Sequence, residues 1–271
     1  MYQEYFLILD KHLRVKPEEF LIKIINDGGL NRLISDFQVF SLRDKIRQYY
    51  YTSIGIRLGQ ALEEMVEFYL TKKGANFNLD RRKVVENYDC DQIFTYNGKV
   101  VLIEQKIRDD HDSSKKRGQV DNYLTKRKTL TNEYQEVLCC SWFIDKLFEK
   151  NKKYYLDNLG KEIFYGDEIE NFLVEVFGDN RCSGMYLELI SVLRSYRINY
   201  SRADIFDNLQ LDCFMLQPKG IWELLMALKN NSELEPLLFC YGLDRVTLLK
   251  HLQSKRSTEY TKRAIALLEE K

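Results

Sequence analysis

The sequence predicts an α/β fold, with a mixed central β-sheet flanked by helices and then a mainly helical C-terminal region. Asn97-Gly98 separates two short apolar runs, which is a strong β-hairpin signal because both turn residues must take positive φ. Strand and helix patterns then alternate up to residue 173, which is typical of an α/β protein. After residue 181, helical periodicity dominates. We therefore expect a core of residues 1–180 with a helical N-terminal part, and a helical region of residues 181–271.

The composition of the 271-residue chain is that of an ordered globular protein, with 45% apolar residues and only 3 prolines. The first residues lack the basic stretch and apolar core of a signal peptide, and no apolar run approaches the length of a membrane span. The 6 cysteines form no C-x-x-C pair and the 3 histidines show no metal-ligand spacing, so we expect buried thiols and no zinc site. These features favour a cytoplasmic protein without membrane contact.

The N-terminal part is predicted to be helical. Pro17 and the acids after it favour a helix start, and Gly28-Gly29 favours its end. A second amphipathic segment spans roughly residues 30–51. Residues 55–73 form the clearest helix, with an apolar stripe at helical spacing and Gly74 after its end.

Charged residues follow a buried strand of the predicted hairpin. Val100–Ile103 is a continuous apolar run, which indicates a strand buried on both faces, and it leads into Glu104-Gln105-Lys106. Because side chains alternate along a strand, Glu104 and Lys106 share one face. Asp91 begins the partner strand at the same end of the hairpin. Buried charges cost free energy unless they are paired or bind a ligand, so this end of the sheet is the candidate site.

The elements around the hairpin follow from shorter patterns. A weakly defined strand is expected near Phe77 or Val84-Val85, before the hairpin. Residues 108–116 predict a polar loop, and the next helix, beginning near Ser113 or Ser114, carries Gln119 and Tyr123 on one face. The remaining predicted elements are a buried strand at 135–144, a polar linker at 149–158, a strand ending at Gly166, a helix with Asp167 and Glu168 in its first turn, and helices at 185–196, 220–229 and 235–252.

Asp91, followed after a hairpin by Glu104-x-Lys106, resembles the signature of the PD-(D/E)xK nuclease superfamily. The basic segment and helix that come next make it resemble the type II restriction endonucleases within that superfamily. Cys90 stands where the name of the motif has proline. The resemblance covers mainly residues 55–175. It implies a restriction-endonuclease-like mixed central β-sheet and Mg²⁺-dependent, sequence-specific cleavage of double-stranded DNA.

The resemblance also implies a metal site at the charged end of the hairpin. Asp91 and Glu104 would hold Mg²⁺, with the backbone carbonyl of Gln105 as a further ligand. Lys106 would lie beside the attacking water as the third catalytic residue of the motif. Asp89 lies two residues before Asp91, on the same face, and is the alternative first ligand.

A fourth catalytic acid is implied on the helix before the hairpin, where the resembling nucleases often carry one. Glu63 borders the apolar stripe of the predicted helix 55–73 and is the expected acid. Glu64 points further out and is the alternative. Surface carboxylates without a role in the site are the remaining interpretation.

The basic segment after the hairpin is the expected DNA-contacting region. The chain has a net charge of 0, but residues 99–128 carry 9 basic and 5 acidic residues. Such a local excess of positive charge attracts the DNA backbone. The expected DNA-binding residues are Arg108, His111, Lys115, Lys116, Arg117, Gln119 and Tyr123.

The resemblance implies double-stranded DNA as partner, a homodimer that cuts both strands, and a cognate DNA methyltransferase as genetic neighbour. In this interpretation residues 1–180 are the nuclease core, and residues 181–271 serve DNA recognition, dimerisation or both. A monomer is the alternative to the homodimer. The alternative functions are a DNA repair or junction-resolving nuclease of the same superfamily and a non-catalytic DNA-binding or protein-interaction module. An α/β protein with a chance D…E-x-K pattern is the last alternative.

Overall fold

A computed structural model of the chain describes residues 2–29, 41–196, 209–229 and 234–269. The fold is α/β, with many helices and a four-stranded mixed β-sheet. The helices in these ranges are α1 Tyr2–Leu13, α2 Pro17–Asn26, α3 Leu42–Lys72, α4 Ser113–Glu133, α5 Lys152–Leu159, α6 Ile169–Phe177, α7 Met185–Tyr196, α8 Pro218–Lys229, α9 Leu234–Cys240, α10 Arg245–Ser254 and α11 Glu259–Glu269.

The chain forms two compact units. The first comprises Met1–His12 and Arg57–Asn199, and the second comprises Leu13–Ile56 and Tyr200–Lys271. These bounds differ from the predicted division at residue 180, because part of the N-terminal chain groups with the C-terminal helices. The boundary falls within helix α3, which therefore contributes residues to both units.

The sheet of the first unit has the strand order β1-β2-β3-β4. Its strands are β1 Gln92–Tyr96, β2 Lys99–Lys106, β3 Val137–Phe143 and β4 Ile163–Tyr165. Strands β1 and β2 are antiparallel, whereas β2–β3 and β3–β4 are parallel, so the predicted mixed sheet is confirmed. Asn97 (φ 47°) and Gly98 (φ 83°) both have positive φ, so the predicted hairpin turn is confirmed as well.

Strand β2 lies in the middle of the sheet, and its apolar run is buried as predicted. The side chains from Val100 to Ile103 are all buried, between β1 on one side and β3 on the other. Helix α4 connects the parallel strands β2 and β3. The carboxylate of Asp112 caps its first turn by accepting hydrogen bonds from the backbone amides of Ser114 and Lys115. The helix start predicted near Ser113 or Ser114 is therefore confirmed.

Helix α3 continues through the two segments that the sequence separates. The predicted helix 55–73 is its C-terminal part. The buried residues of its apolar stripe are Leu62, Met65, Val66, Tyr69 and Leu70. Residues 30–40 of the other predicted segment lie outside the described residues. Neither Gly55 nor Gly59 ends the helix, because each lies in regular helical backbone with open space around it.

Three local predictions were wrong. The segment 149–158 is not a linker, because it contains most of α5, where Tyr155 is buried with its ring centroid 4.9 Å from that of Phe143. The expected strand before the hairpin is reduced to isolated bridges, from Asn76 to Thr95 and from Val85 to Tyr88. The predicted helix 235–252 is split into α9 and α10 by a turn at Gly242, whose φ is 79°.

Other predicted elements agree with the structure. Strand β3 lies within the predicted strand 135–144, β4 ends before Gly166, and the predicted helix at 185–196 is α7. Asp167 and Glu168 lie in a short 3-10 turn, Gly166–Glu168, that leads directly into α6.

The second unit is helical around its own apolar core. Helix α8 packs against α11 and α2. Gly220 of α8 lies against α2 so closely that an added Cβ would come within 2.6 Å of the backbone oxygen of Ile25. The predicted helix 220–229 is confirmed within α8. Residues that share this core include Phe20, Leu21, Ile25, Ile46, Leu216, Ile221, Leu224, Leu248, Leu252 and Ala264.

All six cysteines are free thiols, of which five are buried and Cys240 is exposed. The predicted burial is therefore correct except at Cys240. Among the helices that the structure describes, none combines the length and the apolar character needed to cross a membrane.

Candidate active site

Asp91, directly before β1, and the charged end of β2 border a cavity of about 170 Å³ in the first unit. Four segments converge on it: the residues directly before β1, the ends of β2 and β3, and one face of helix α4. Its lining residues are Asp89, Asp91, Glu104, Lys106, Gln119, Asn122, Tyr123, Lys126 and Ser141. The sheet thus brings together Asp91, Glu104 and Lys106 of the sequence pattern.

Asp91 is held by two donors from the neighbouring strand. Its Oδ2 accepts hydrogen bonds from Nζ of Lys106 at 2.7 Å and from the backbone N–H of Gln105 at 2.8 Å. Burial disfavours the charged form of Lys106, but Asp91 and Glu104 outweigh this effect and raise the pKa of the ammonium above its usual value. Lys106 is therefore a paired cation at the edge of the cavity.

Glu104 is held by a second lysine, from helix α4. Its Oε1 accepts a hydrogen bond from Nζ of Lys126 at 2.6 Å, and Nζ of Lys106 lies 4.0 Å from Oε2. The side chains of Lys126 and Glu104 are only 6% and 9% exposed. Burial, and next the charge of Asp91, raise the pKa of the Glu104 carboxyl, although both lysines act in the opposite direction.

Lys126 is the charged lining residue that the sequence interpretation missed. Besides binding Glu104, its Nζ donates to the backbone oxygen of Asp89 at 2.5 Å, so it ties helix α4 to the segment before β1. One signal was present in the sequence. Lys126 lies three residues after Tyr123 and seven after Gln119, which places all three on one helix face.

Glu63 lies near Asp91, whereas Glu64 does not share its surroundings. Oε2 of Glu63 accepts from a guanidinium nitrogen of Arg81 at 3.1 Å. Burial and then the charge of Asp91 raise the pKa of Glu63. Glu64 instead pairs with Lys11 of helix α1 at 2.7 Å. Of the two acids, Glu63 is the one that interacts electrostatically with the charged strand end, but it is not a lining residue of the cavity.

Asp89 and Asp91 both line the cavity but make different contacts. Asp89 is exposed, and its backbone oxygen is bound by Lys126. The carboxylate of Asp91 is fixed directly against β2 by Gln105 and Lys106. Both carboxylates therefore remain candidates as first ligand, with Asp91 the better oriented of the two.

Two of the predicted DNA-binding residues, Gln119 and Tyr123, line the cavity from helix α4. Oε1 of Gln119 accepts a hydrogen bond from the hydroxyl of Tyr155 at 2.6 Å. The hydroxyl of Tyr123 donates to Oε2 of Glu162 at 2.9 Å, and the Tyr123 side chain is buried. Both side chains are thus engaged in holding α4 against neighbouring elements.

The other predicted DNA-binding residues lie between β2 and the first turns of α4. Arg108, Lys115 and Arg117 are exposed, whereas His111 and Lys116 are half-buried. The guanidinium of Arg108 lies 4.4 Å from the ring centroid of Phe148, and Nζ of Lys116 donates to Oδ1 of Asn151 at 3.2 Å. The structure therefore leaves three exposed cations in this segment.

The loop from β2 to α4 is anchored by Asp109, a residue that sequence reasoning assigned only to a polar loop. Its side chain is 0% exposed. It accepts hydrogen bonds from the backbone and side-chain amides of Asn151, at 2.8 and 2.9 Å, and from the hydroxyl of Tyr165 at 3.0 Å. This buried network fixes the course of the chain directly after Lys106.

No protein-family model, curated protein or solved structure matches this chain. The chemistry of the site follows from its own residues. Within the described ranges, no group of three or more His, Cys, Asp or Glu side chains is arranged to hold a metal ion.

The donor set fits a cation that takes few protein ligands. In the described contacts, Oδ1 of Asp91 and Oε2 of Glu104 accept no hydrogen bond, so each carboxylate keeps one oxygen for a ligand. The side chain of Gln105 lies on the opposite strand face from Glu104, which leaves only its backbone carbonyl for the site. Mg²⁺ prefers hard oxygen ligands, uses one or two carboxylates and keeps several waters. These residues therefore fit Mg²⁺ better than an ion that needs a complete protein cage.

Proposed function

We propose that this protein is a Mg²⁺-dependent, sequence-specific endonuclease for double-stranded DNA, of the type II restriction kind. The observation that carries the proposal is the meeting of Asp91, Glu104 and Lys106 in one cavity at the end of a mixed-sheet hairpin. A mixed central sheet is expected of a restriction-endonuclease-like fold, and the four-stranded mixed sheet is consistent with that expectation. The proposal includes a nuclease core around this sheet.

The reaction is hydrolysis of a phosphodiester, which needs charge stabilisation at an anionic centre and an activated water. Asp91, Glu104 and the carbonyl of Gln105 would hold Mg²⁺, which when bound polarises phosphoryl oxygens and lowers the pKa of its water. Lys106, held 2.7 Å from Asp91, would donate a hydrogen bond to the attacking water and offset negative charge on the phosphate. Glu63 would contribute negative charge from the neighbouring helix.

DNA binding would use the exposed cations of the segment that joins β2 to α4. Arg108, Lys115 and Arg117 are exposed and lie on the same loop and helix that lead from Lys106 to Gln119. Contacts of such cations to phosphates fix the register of a protein on DNA, and base-edge contacts then supply specificity. The proposal also includes a homodimer, a cytoplasmic location and a DNA methyltransferase as genetic neighbour. In the same proposal, residues 181–271 serve DNA recognition, dimerisation or both.

A non-catalytic DNA-binding module is the second candidate. The observation that favours it is the pairing of both carboxylates with lysines, Asp91 with Lys106 and Glu104 with Lys126. Each of these two carboxylates is balanced by a lysine without any added cation. Metal-dependent cleavage separates this candidate from the endonuclease.

The test is incubation of the purified protein with phage DNA, with and without Mg²⁺, followed by gel electrophoresis. Discrete bands that require Mg²⁺ are expected from a sequence-specific endonuclease, and a smear would indicate a non-specific one. Asp91→Ala, Glu104→Ala and Lys106→Ala should each abolish cleavage and leave DNA binding largely intact. Asp121→Ala is the matched control, because Asp121 is an exposed carboxylate on α4. Full cleavage by all three site variants would refute the assignment.

A further inference from the structure

Lys126 is a buried and hydrogen-bonded cation of the site. Its side chain is 6% exposed, and its ammonium donates to Oε1 of Glu104 at 2.6 Å and to the backbone oxygen of Asp89 at 2.5 Å. A buried ammonium is costly unless it is paired and hydrogen-bonded, and these two acceptors meet that need. Lys126 also lines the cavity. A positive charge is therefore built into the site beside Glu104.

The carboxylate oxygens of Asp91 and Glu104 divide into two sets. Oδ2 of Asp91 and Oε1 of Glu104 are each bound by a lysine, Lys106 and Lys126 respectively. Oδ1 of Asp91 and Oε2 of Glu104 are left for a ligand. One divalent cation can use the second set, because Mg²⁺ needs only one or two carboxylates.

While Lys126 holds Oε1 of Glu104, the exposed carboxylate of Asp89 is, among the described residues, the one further acid that lines the cavity and could bind a second divalent cation. Pairs of metal ions in phosphodiesterases lie roughly 3.5–4 Å apart, and they bind both the attacking and the leaving oxygen. Glu63 of helix α3 is bound by Arg81 at 3.1 Å and is not a lining residue of the cavity.

We propose that Lys126 takes the place of a second divalent cation and limits the site to one ion, held by the free oxygens of Asp91 and Glu104. This inference rests on the proposed function, since it assumes that the site binds a divalent cation. In this arrangement Lys126 is a positioning residue. Its ammonium occupies one oxygen of Glu104 and directs the other toward the cavity, and its bond to Asp89 fixes the chain before Asp91.

The test counts ions in the DNA-free protein, by calorimetric titration with Mn²⁺ and by electron paramagnetic resonance of the bound ion. The wild type should bind one ion per chain. Lys126→Met should bind two, because Oε1 of Glu104 becomes free and the local positive charge is lost. Lys126→Arg keeps the charge and should bind one. Lys128→Met is the matched control, because Lys128 lies on the exposed face of the same helix, and it should bind one ion.

Each other outcome has a definite meaning. Two ions in the wild type would overturn the role of Lys126 and leave the nuclease proposal intact. One ion with unchanged affinity in Lys126→Met would also overturn that role. No ion in the wild type would overturn both this inference and the metal-dependent function. If circular dichroism shows that Lys126→Met is unfolded, Lys126→Gln replaces it, because glutamine keeps a donor for the Asp89 carbonyl without the charge.

Discussion

Nζ of Lys106 lies 2.7 Å from Oδ2 of Asp91, although 15 residues separate the two in the sequence. The same Oδ2 accepts the backbone N–H of Gln105, so the contact depends on the backbone of β2 as well as on a side chain. The pairing register of β1 with β2, in which Gln92 faces Ile103, sets this distance. A one-residue slip of β1 in this register would turn its side chains to the other face of the sheet and separate Asp91 from Lys106.

The first prediction separates Asp91 from Asp89 as metal ligand. Asp91→Asn should reduce the rate of DNA cleavage by about 10²–10³-fold or more, because it removes a charged oxygen from the site. Asp89→Asn should keep most of the activity, because its backbone carbonyl, which binds Lys126, is unchanged. Initial cleavage rates at saturating Mg²⁺ provide the measurement. Loss of activity in Asp89→Asn alone would transfer the ligand role by two residues.

The hairpin turn should be sensitive to side chains at Gly98. Gly98→Val should lower the free energy of unfolding by about 1–2 kcal/mol, because a residue with a Cβ is strained at φ 83°. No atom lies within 4 Å of the added Cβ, so the cost comes from the backbone alone. Urea denaturation measures it. Gly118→Ala is the control, because Gly118 lies inside helix α4 with open space around it, and alanine there should stabilise by about 0.5–1 kcal/mol.

Asp109 should be a major contributor to stability. Asp109→Ala removes the acceptor for Asn151 and Tyr165, and it leaves three buried donors without that partner. A loss of about 3 kcal/mol in the free energy of unfolding is expected. Asp110→Ala, a neighbouring but exposed position, should stay within about 0.5 kcal/mol of the wild type. Equal effects of the two variants in urea denaturation would contradict the anchoring role.

His111 should make stability depend on pH. Its pKa lies below the usual value because of burial and then the charge of Lys115, so the folded protein holds the neutral ring more readily than the unfolded chain does. The stability that this residue contributes is therefore full above the unfolded pKa, about 6.5, and decreases as the pH falls toward the lower folded pKa.

The corresponding measurement compares the wild type with His111→Gln by urea denaturation at about pH 7.5 and about pH 5, on either side of the unfolded pKa. The wild type should lose more stability than the variant over this interval. An identical loss in the two proteins would show that His111 does not contribute to the pH dependence.

The sequence predicted the elements that local chemistry determines. The Asn97-Gly98 turn, the buried run of β2 and the start of α4 each depend on residues close together in the chain. The prediction that Asp91, Glu104 and Lys106 lie close together was correct, because hairpin pairing and strand alternation are enough to place them at one end of the sheet.

Features that depend on distant contacts were not predicted. Lys126 belongs to a helix rich in polar residues, and its burial against Glu104 follows from the crossover between two parallel strands. The local pattern indicates only that Lys126 shares a helix face with Gln119 and Tyr123. Helix α5 was missed because its stability comes from burying Tyr155 beside Phe143 and not from a strong apolar periodicity. The grouping of Leu13–Ile56 with the C-terminal helices depends on packing between segments far apart in sequence.

The isolated bridge between Asn76 and Thr95 has a consequence for assembly. It supplies two backbone hydrogen bonds, at 2.8 and 2.9 Å, to the outer side of β1. At the other border of the sheet, β4 has only 3 residues. Edge strands that are short, or whose backbone is already hydrogen-bonded, offer few free backbone groups for pairing with a strand from another molecule. The proposed homodimer would therefore form through helical surfaces, because continuation of one β-sheet into the next is disfavoured.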